Sequence, residues 1–368
     1  MTAEPARGTV LVAGVSGVVG FAAARCFTAA GWPVVGLSRR RPDRLPPTVE
    51  HRAVDLSDPE ATAAVVADLS PVTHLVYAAL YEKPGLFAGW HERDQMERNL
   101  AMSANLLDAV ESVADLQHVS LLQGTKAYGA HVEPMAVPGR ERNPRHPHDN
   151  FYWLQEDDLR RRQRPDGWAL TIVRPQVIFG EAQGGNMNAL PALGVYAAVL
   201  RHDGQPLHYP GGVAPLTEAV DADLVGRFLL WAATARAAAG ETFNLTNGDV
   251  FTLRNVWPVI AEAFGMEVGH DVPMSLAEEL PARAAAWATV VDRFALTAPA
   301  DLDAFVGQSF LYADMLAGYG RTAPAPPALV STIKARRAGF TDCCDTEDMF
   351  TALIAAFQEA RLFPPRRW

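Results

Sequence analysis

Three glycines near the amino terminus have the spacing of a turn that binds a dinucleotide. Gly14, Gly17 and Gly20 follow a short apolar stretch and precede a helical pattern. In such a turn the first glycine permits a tight bend, the second lets backbone N–H groups approach a pyrophosphate, and the third allows the helix to pack closely. The positive end of the helix then attracts the phosphates. A glycine turn without a ligand is the alternative, which the strand–turn–helix context disfavours.

The second predicted strand ends in basic residues where an acidic residue is usual. An enzyme that binds NAD normally places Asp or Glu about 20 residues after the glycines, where it accepts a hydrogen bond from the ribose 2′-hydroxyl. This chain has Ser38, Arg39 and Arg40 instead. Guanidinium groups match the charge and the bidentate geometry of a 2′-phosphate, so the pattern favours NADP(H) over NAD(H). A solvated basic loop is the alternative.

A tyrosine on a predicted helix lacks the lysine that usually accompanies it. In short-chain dehydrogenases a lysine normally stands four residues after the tyrosine, one helical turn away, and lowers the pKa of the phenol. Tyr152 is followed at that position by Glu156. A different lysine, Lys126, comes directly after the fifth predicted strand, at the edge where open parallel sheets bind ligands. Taken alone, Tyr152 could be a packed aromatic residue and Lys126 a surface charge.

These residues lie within an alternation of short apolar runs and longer helical patterns, which predicts βαβ units and a parallel sheet. The strand-like runs are Thr9–Ala13, Pro33–Leu37, Arg52–Val54, Thr73–Tyr77, Gln117–Leu122 and Ala169–Val173. A seventh run, Thr242–Leu245, is expected to return to the same sheet. The predicted fold class is therefore α/β, a Rossmann-type doubly wound parallel sheet.

Beyond Gly180 the pattern changes to helices that are separated by loops with proline and glycine. This change predicts a smaller, mostly helical region that covers the cofactor and binds the substrate. We assign residues 1–180, with a returning segment at about 214–248, to the dinucleotide-binding domain. Residues 181–213 and 249–368 form the predicted substrate-binding cap.

Composition and charge argue against several other classes of protein. The 368 residues are 49% hydrophobic and 20% charged, as in ordinary globular proteins. The net charge of −10 argues against nucleic acid as a partner. The three cysteines have neither a disulfide framework nor a metal-binding spacing, which predicts a reducing, cytoplasmic location. No apolar run approaches the roughly 18 residues that a membrane span needs, so we expect no membrane-spanning segment.

Two histidines precede Tyr152 with alternating spacing that could suggest a metal site. His146 and His148 have no set of cysteines or carboxylates close to them in the sequence. Because a metal site needs such additional ligands, we favour a polar loop near the mouth of a pocket and predict no bound metal.

The segments around Lys126 and Tyr152 resemble one family. Gln123–Gly129 contains the pattern Gly-x-Lys-x-Tyr, and Asn150–Asp157 contains Asn-Phe-Tyr-x-x-x-Glu-Asp. Both are similar to the progesterone 5β-reductase/iridoid synthase-like enone reductases, which are atypical extended short-chain dehydrogenases/reductases. The resemblance extends over nearly the whole chain and implies that Lys126 and Tyr152 are the catalytic residues.

The same resemblance implies positions for parts of the cofactor. Asp55 would face the adenine, Ala78 and Ala79 the nicotinamide ribose, and Val177 the carboxamide. The other residues predicted to contact NADP(H), besides the glycines and the basic residues above, are Ser16, Val18, Val19, Leu56 and Gln123.

The implied activity is the NADPH-dependent reduction of the C=C bond of a small-molecule enone. Hydride would reach the carbon β to the carbonyl, Tyr152 would donate a hydrogen bond to the enolate oxygen, and Lys126 would supply positive charge. Two alternatives stay open. One is an NADP-dependent carbonyl reductase that acts on the C=O bond, and the other is a non-catalytic NADP-binding sensor. The resemblance also allows a homodimer.

Overall fold

A computed structural model describes residues 8–182 and 184–368 of the chain. The strands in these residues are β1 (Thr9–Ala13), β2 (Val34–Ser38), β3 (Glu50–Ala53), β4 (Val72–Tyr77), β5 (His118–Leu122), β6 (Ala169–Pro175), β7 (Val177–Phe179), β8 (Leu207–Tyr209), β9 (Ala219–Asp221), β10 (Thr242–Leu245) and β11 (Val268–Asp271). The helices are α1 (Val18–Ala29), α2 (Pro59–Val66), α3 (Arg93–Glu111), α4 (Phe151–Arg162), α5 (Ala189–His202), α6 (Ala222–Ala232), α7 (Leu253–Ala263), α8 (Leu276–Glu279), α9 (Ala284–Phe294), α10 (Leu302–Val306), α11 (Ser309–Ala317), α12 (Ile333–Ala338) and α13 (Thr346–Glu359).

Seven of these strands form one parallel sheet in the order β10-β6-β5-β4-β1-β2-β3. The predicted doubly wound α/β sheet is therefore confirmed, including the return of Thr242–Leu245 as β10 beside β6. The third strand begins at Glu50 and not at Arg52, because Glu50 pairs with Val35 of β2 while carrying no apolar signal. Since all the strands are parallel, their carboxyl ends meet at one edge of the sheet.

The central strands are apolar because both faces of the sheet are covered by helices. Val10 and Val12 of β1 face a core cluster that includes residues of α1 and α6. Leu11 and Ala13 face the opposite cluster, which includes residues of α2 and α3. This alternation follows from the two-residue repeat of a strand, and it fixes β1 between two helical layers.

A third core cluster lies in the carboxyl-terminal half and is largely helical. Nearly the whole of α5 is buried there, against α9 and α11, and α7 packs on α13. Two small parallel pairs, β7 with β9 and β8 with β11, were not predicted, because strands of three or four residues are too short to show a period. None of the helices in the part of the chain that the structure describes is long and apolar enough to cross a membrane.

Two histidines lie side by side inside the main sheet. His74 of β4 and His118 of β5 are register partners, with ring centroids 6.0 Å apart. His118 Nε2 donates a hydrogen bond of 2.9 Å to the Thr171 hydroxyl, which itself donates to the Ala238 carbonyl. Burial lowers the pKa of His118 to about 3 and also lowers the pKa of His74. Both rings are therefore neutral in the folded protein near pH 7.

This burial predicts a loss of stability in acid. Below pH 6.5 the unfolded chain takes up a proton on His118 that the folded protein does not bind until about pH 3. The stabilising contribution is thus present above pH 6.5 and is lost as the pH falls, by about 1.4 kcal/mol per pH unit for one such group. We expect His118→Gln to make the free energy of unfolding, measured with urea between pH 6.5 and 4.5, less steeply dependent on pH.

The matched control is His270→Gln, because His270 is exposed. This variant should keep the pH dependence of the parent protein. An unchanged slope in His118→Gln would contradict the assignment of the acid sensitivity to the buried imidazole.

Candidate active site

The glycine turn leaves the start of α1 open toward solvent at the carboxyl end of β1. Gly14 has a φ of +84°, a conformation that side chains rarely adopt. A Cβ added to Gly20 would lie 2.2 Å from the Gly14 carbonyl oxygen, so only glycine allows this close packing. A Cβ on Gly17 would meet only that same oxygen, at 3.4 Å. No side chain caps α1 and its first turn has no acidic residue, so its N–H groups suit a phosphate.

The basic residues after β2 present free positive charge beside this turn. The buried Ser38 hydroxyl donates a hydrogen bond of 2.7 Å to the Arg40 carbonyl and therefore accepts one from His51 Nε2, at 2.9 Å. This arrangement fixes the backbone while the Arg39 and Arg40 side chains remain exposed. Within residues 8–182 and 184–368, neither guanidinium forms an ion pair with a carboxylate. The pair can therefore accept a phosphate.

The predicted adenine-side residues follow β3. Asp55 accepts hydrogen bonds from the backbone N–H and the hydroxyl of Ser57, and these bonds lower the pKa of its carboxyl below the usual range. Leu56 is only 5% exposed and its side chain belongs to the core, so a cofactor could reach only its main chain.

Other predicted cofactor residues lie along the same edge. A Cβ on Gly14 would lie 2.7 Å from the Ala79 nitrogen, which places the end of β4 directly against the glycine turn. Ala78 donates its N–H to the Ala13 carbonyl. The remaining predicted contacts differ in exposure, from the exposed Ser16 through the half-buried Val18 and Val177 to the buried Val19.

Glu156, which occupies the usual position of the lysine, anchors α4 to the sheet. Its side chain is 6% exposed and accepts hydrogen bonds from Gln123 at 3.0 Å and from Arg160 at 2.9 Å. Arg145 lies 3.1 Å from the same carboxylate and Arg174 lies 3.8 Å away. Burial alone would raise the pKa of Glu156, but these hydrogen bonds and charges outweigh it, so the pKa lies below its usual range.

Both polar atoms of the Gln123 side chain form hydrogen bonds within the network around Glu156. Its amide nitrogen donates to Glu156 and to the Tyr152 carbonyl, and its oxygen accepts a hydrogen bond of 2.9 Å from Arg174. A contact between Gln123 and a cofactor would therefore use the main chain.

Lys126 lies in a short 3-10 turn after β5 and is 8% exposed. Its Nζ is 4.2 Å from the centroid of the Trp90 ring and 5.6 Å from that of Tyr152. Glu82 Oε1 is 3.5 Å away, an ion-pair distance that is too long for a good hydrogen bond. Burial lowers the pKa of Lys126, and the charge of Glu82 opposes that shift. Among the described residues the ammonium has no hydrogen-bond partner, so its donors can serve a ligand.

Tyr152 stands at the start of α4, where Asn150 holds it close to Lys126. The Asn150 side-chain oxygen accepts the Tyr152 N–H at 3.0 Å, and its amide donates to the Lys126 carbonyl at 3.0 Å. A Cβ on Gly124 would lie 3.3 Å from the phenol oxygen, so the glycine after β5 leaves room for the Tyr152 hydroxyl. Burial, and next the charge of Glu82, raise the pKa of Tyr152, which keeps the phenol protonated. The site thus combines a protonated phenol with a buried lysine that faces the Glu82 carboxylate.

The two histidines before α4 form a hydrogen-bonded chain. Asn150 donates its amide to His148 Nε2 at 3.2 Å, so the proton of His148 resides on Nδ1. That Nδ1 donates to His146 Nδ1 at 2.8 Å, and His146 Nε2 donates to Glu133 at 2.8 Å. The two rings thus connect Asn150 to Glu133. Among the described residues no three His, Cys, Asp or Glu side chains form a group that could bind a metal.

Sequence reasoning missed Glu82 and Trp90. Both lie between β4 and α3, in a segment without a helical or strand period, and they reach Lys126 only through the folding of the sheet. The only available signal was the position of Glu82 a few residues after the end of β4, beside the strand that carries Lys126.

Comparison with protein families matches residues 10–246 to the NAD dependent epimerase/dehydratase family. Among curated proteins, the chain is 30% identical to the (S)-8-oxocitronellyl enol synthase of Antirrhinum majus over 380 residues, which cover 97% of this chain and 93% of the relative. It is 34% identical to the 3-oxo-Delta(4,5)-steroid 5-beta-reductase of Arabidopsis thaliana over 277 residues, which cover 70% of this chain and 69% of the relative.

Solved structures with the same fold are more distant in sequence. The UDP-glucose 4-epimerase of Thermotoga maritima, solved with UDP-glucose, has a TM-score of 0.67 at 16% identity and covers 95% of this chain and 99% of its own. The enzyme WbmH of Bordetella bronchiseptica, in complex with NAD+, has a TM-score of 0.64 at 16% identity and covers 96% of this chain and 99% of its own. These similarities show the fold alone.

The Glu156 network predicts that a lysine cannot be restored at its usual position. Glu156→Lys would place a cation among three arginines and remove the buried carboxylate that they share. Breaking a buried ion pair costs about 3–5 kcal/mol, and we expect a loss of this size in the free energy of unfolding measured with urea. The control is Asp157→Lys, because the Asp157 side chain is 55% exposed. Equal losses for the two variants would contradict a structural role of Glu156.

Proposed function

Because the chain belongs to the family of the (S)-8-oxocitronellyl enol synthases and the 3-oxo-Delta(4,5)-steroid 5-beta-reductase, we propose that it reduces the C=C bond of α,β-unsaturated carbonyl compounds with NADPH. The observation that carries this proposal is the position of Lys126. Its ammonium comes from the turn after β5 and lies beside Tyr152, within one buried site. This arrangement supplies two groups that stabilise negative charge on one oxygen.

The roles of the two residues follow from their environments. Hydride addition to the carbon β to a carbonyl leaves negative charge on the carbonyl oxygen. The protonated phenol of Tyr152 donates a hydrogen bond to that oxygen, and Lys126 supplies the nearby positive charge. Trp90 and Tyr152 exclude water around the ammonium, which strengthens its interaction with the developing charge.

The residues at the edge of the sheet fit NADP(H). The open start of α1 suits the pyrophosphate, and Arg39 and Arg40 suit the 2′-phosphate. Bound NADPH supplies the hydride. Asp55, Ala78, Ala79 and Val177 remain proposed contacts of the adenine, the ribose and the carboxamide, together with Ser16, Val18, Val19 and the main chains of Leu56 and Gln123.

Three further assignments are proposals that rest on the sequence pattern and on the family. Residues 181–213 and 249–368 form the substrate-binding cap over the dinucleotide-binding domain of residues 1–180 and about 214–248. The protein acts in the cytoplasm. It forms a homodimer.

The exposed guanidiniums predict the choice of cofactor. NADPH should have a higher kcat/KM than NADH, and replacing Arg39 and Arg40 with alanine should reduce this preference. Hydrogen bonds to charged groups contribute about 1.5–3 kcal/mol, so the loss should be about tenfold or more. Steady-state rates at 340 nm with each cofactor measure it.

Arg41→Ala is the matched control for this prediction. It removes the same charge from the same segment, but the Arg41 guanidinium already donates to the Val49 carbonyl at 3.3 Å. A general effect of positive charge would change the preference in both variants. Equal efficiency of NADPH and NADH with the parent enzyme would reject the assignment.

The class of reaction is tested by the position of an isotope label. With NADPH that carries deuteride at C4, a 2-en-1-one should give the saturated ketone with deuterium on the carbon β to the carbonyl. The matching saturated ketone should not be reduced at a comparable rate. Mass spectrometry and NMR of the product locate the label, and an allylic alcohol labelled at the carbinol carbon would show a carbonyl reductase instead.

Tyr152→Phe provides the control within the site. It keeps the aromatic ring and removes only the hydrogen-bond donor, so kcat should fall by about 100-fold, as for the loss of one oxyanion donor. The affinity for NADPH, measured by fluorescence, should change little. A variant with normal kcat would show that the phenol does not act on the substrate oxygen.

A further inference from the structure

A buried carboxylate faces the proposed catalytic lysine from the segment after β4. The Glu82 side chain is 1% exposed. Its Oε2 accepts a hydrogen bond of 2.7 Å from Gln95, a buried residue of α3. Gln95 in turn accepts the Lys83 N–H at 2.8 Å, so its amide is held from both sides. The Glu82 carboxylate is thus fixed in one orientation.

The other carboxylate oxygen, Oε1, points toward the ammonium. It lies 3.5 Å from Lys126 Nζ, and neither atom has a hydrogen-bond partner among the described residues. Two opposite charges that are shielded from water attract each other. The free energy gained from this attraction is largely offset by the cost of removing both charges from water, so the pair contributes little to the stability of the fold. Glu82 Oε1 can therefore interact with the Lys126 ammonium, while the N–H groups of that ammonium can still donate hydrogen bonds to a substrate.

We propose that Glu82 is a positioning residue that holds the Lys126 ammonium beside Tyr152 and keeps it charged during reduction. This inference rests on the proposed function and adds a residue to its machinery. Trp90 also contacts the ammonium, with its ring centroid 4.2 Å from Nζ. These two contacts restrict the movement of the ammonium away from Tyr152.

The other titratable groups around Lys126 do not supply a compensating charge. His131 interacts with Lys126, but burial first, and then the nearby His148 and Lys126, lower the pKa of His131 to about 3, so it is neutral in an ordinary assay. Tyr152 carries a pKa raised by burial and is also neutral. Glu82 is therefore the carboxylate that faces Lys126 among the described residues. Burial raises the pKa of Glu82 and lowers the pKa of Lys126, and the charge of each group opposes the shift of the other.

The kinetic test compares Glu82→Gln with the parent enzyme across pH. The glutamine keeps the size of the side chain and removes its charge. An opposite charge at such a distance typically shifts a pKa by about 1–3 units, so the pKa of the alkaline limb of kcat should fall by about one unit or more. The KM for NADPH should stay unchanged. Glu82→Asp keeps the charge and should retain the alkaline pKa, with a lower kcat because the carboxylate is withdrawn.

Glu92→Gln is the control from the same segment, because Glu92 pairs with Lys83 at the surface. Its pH profile should match the parent profile. A Glu82→Gln enzyme that binds NADPH normally and shows the parent alkaline limb would overturn the proposal.

A stability cycle tests the pair without any reaction. Lys126→Met leaves the Glu82 carboxylate buried without its partner, so it should lower the urea midpoint. Adding Glu82→Gln should restore part of that loss, which is the sign of direct coupling. Additive losses would overturn the proposal. If the parent enzyme reduces no enone, the proposed function fails, while this cycle still tests whether Glu82 holds Lys126.

Discussion

The site depends on the charge of the Lys126 ammonium, which is almost completely shielded from water. The Lys126 ammonium lies among Trp90, Tyr152 and Glu82, at the point where the carboxyl ends of β4 and β5 meet. A buried ammonium tends to lose its proton, and burial does lower the pKa of Lys126. The fold opposes this tendency with a carboxylate from the neighbouring strand connection. The parallel order of β4 and β5 is what makes that pairing available.

The same carboxyl edge anchors α4 through a second buried carboxylate. Glu156 joins the helix to Gln123 after β5 and to Arg174 of β6, and two further arginines neutralise it. Asn150 closes the arrangement at the start of the helix, where it binds the Lys126 carbonyl. The phenol of Tyr152 and the ammonium of Lys126 are therefore positioned by separate elements that share two links. One of these links is Glu156, which has a structural role at the position where a catalytic lysine usually stands.

Much of the fold could be predicted from the sequence because its signals are local. The glycine turn, the basic residues after β2 and the strands of the sheet follow from residue types and periods within short segments. The shift of β3 to Glu50 shows the limit, since a polar edge strand carries no apolar pattern. Family membership and the oxidoreductase class were likewise predicted from the patterns around Lys126 and Tyr152 and are confirmed by the curated relatives.

The features that could not be predicted from the sequence are tertiary contacts between side chains that lie far apart in the chain. From the sequence, Glu156 was recognised only as the residue that replaces the usual lysine. Its structural role could not be predicted, because its arginine partners come from a loop, from the same helix and from a different strand. Glu82 had only its position shortly after β4 as a signal, since its contact with Lys126 exists only after two strands have paired. Charges buried by folding are recognised from their surroundings, and a linear sequence does not specify those surroundings.

The position of the lysine also separates the two chemistries that a tyrosine and a lysine can support. A lysine one turn below the phenol lowers the pKa of the tyrosine and prepares its proton for transfer to an alkoxide. With Glu156 at that place, this effect is absent, and burial raises the pKa of Tyr152. A phenol that keeps its proton donates a strong hydrogen bond without full transfer. An enolate, whose charge is shared between oxygen and carbon, needs that donor and a nearby cation more than it needs a proton. In the proposed mechanism Lys126 supplies this cation from the turn after β5.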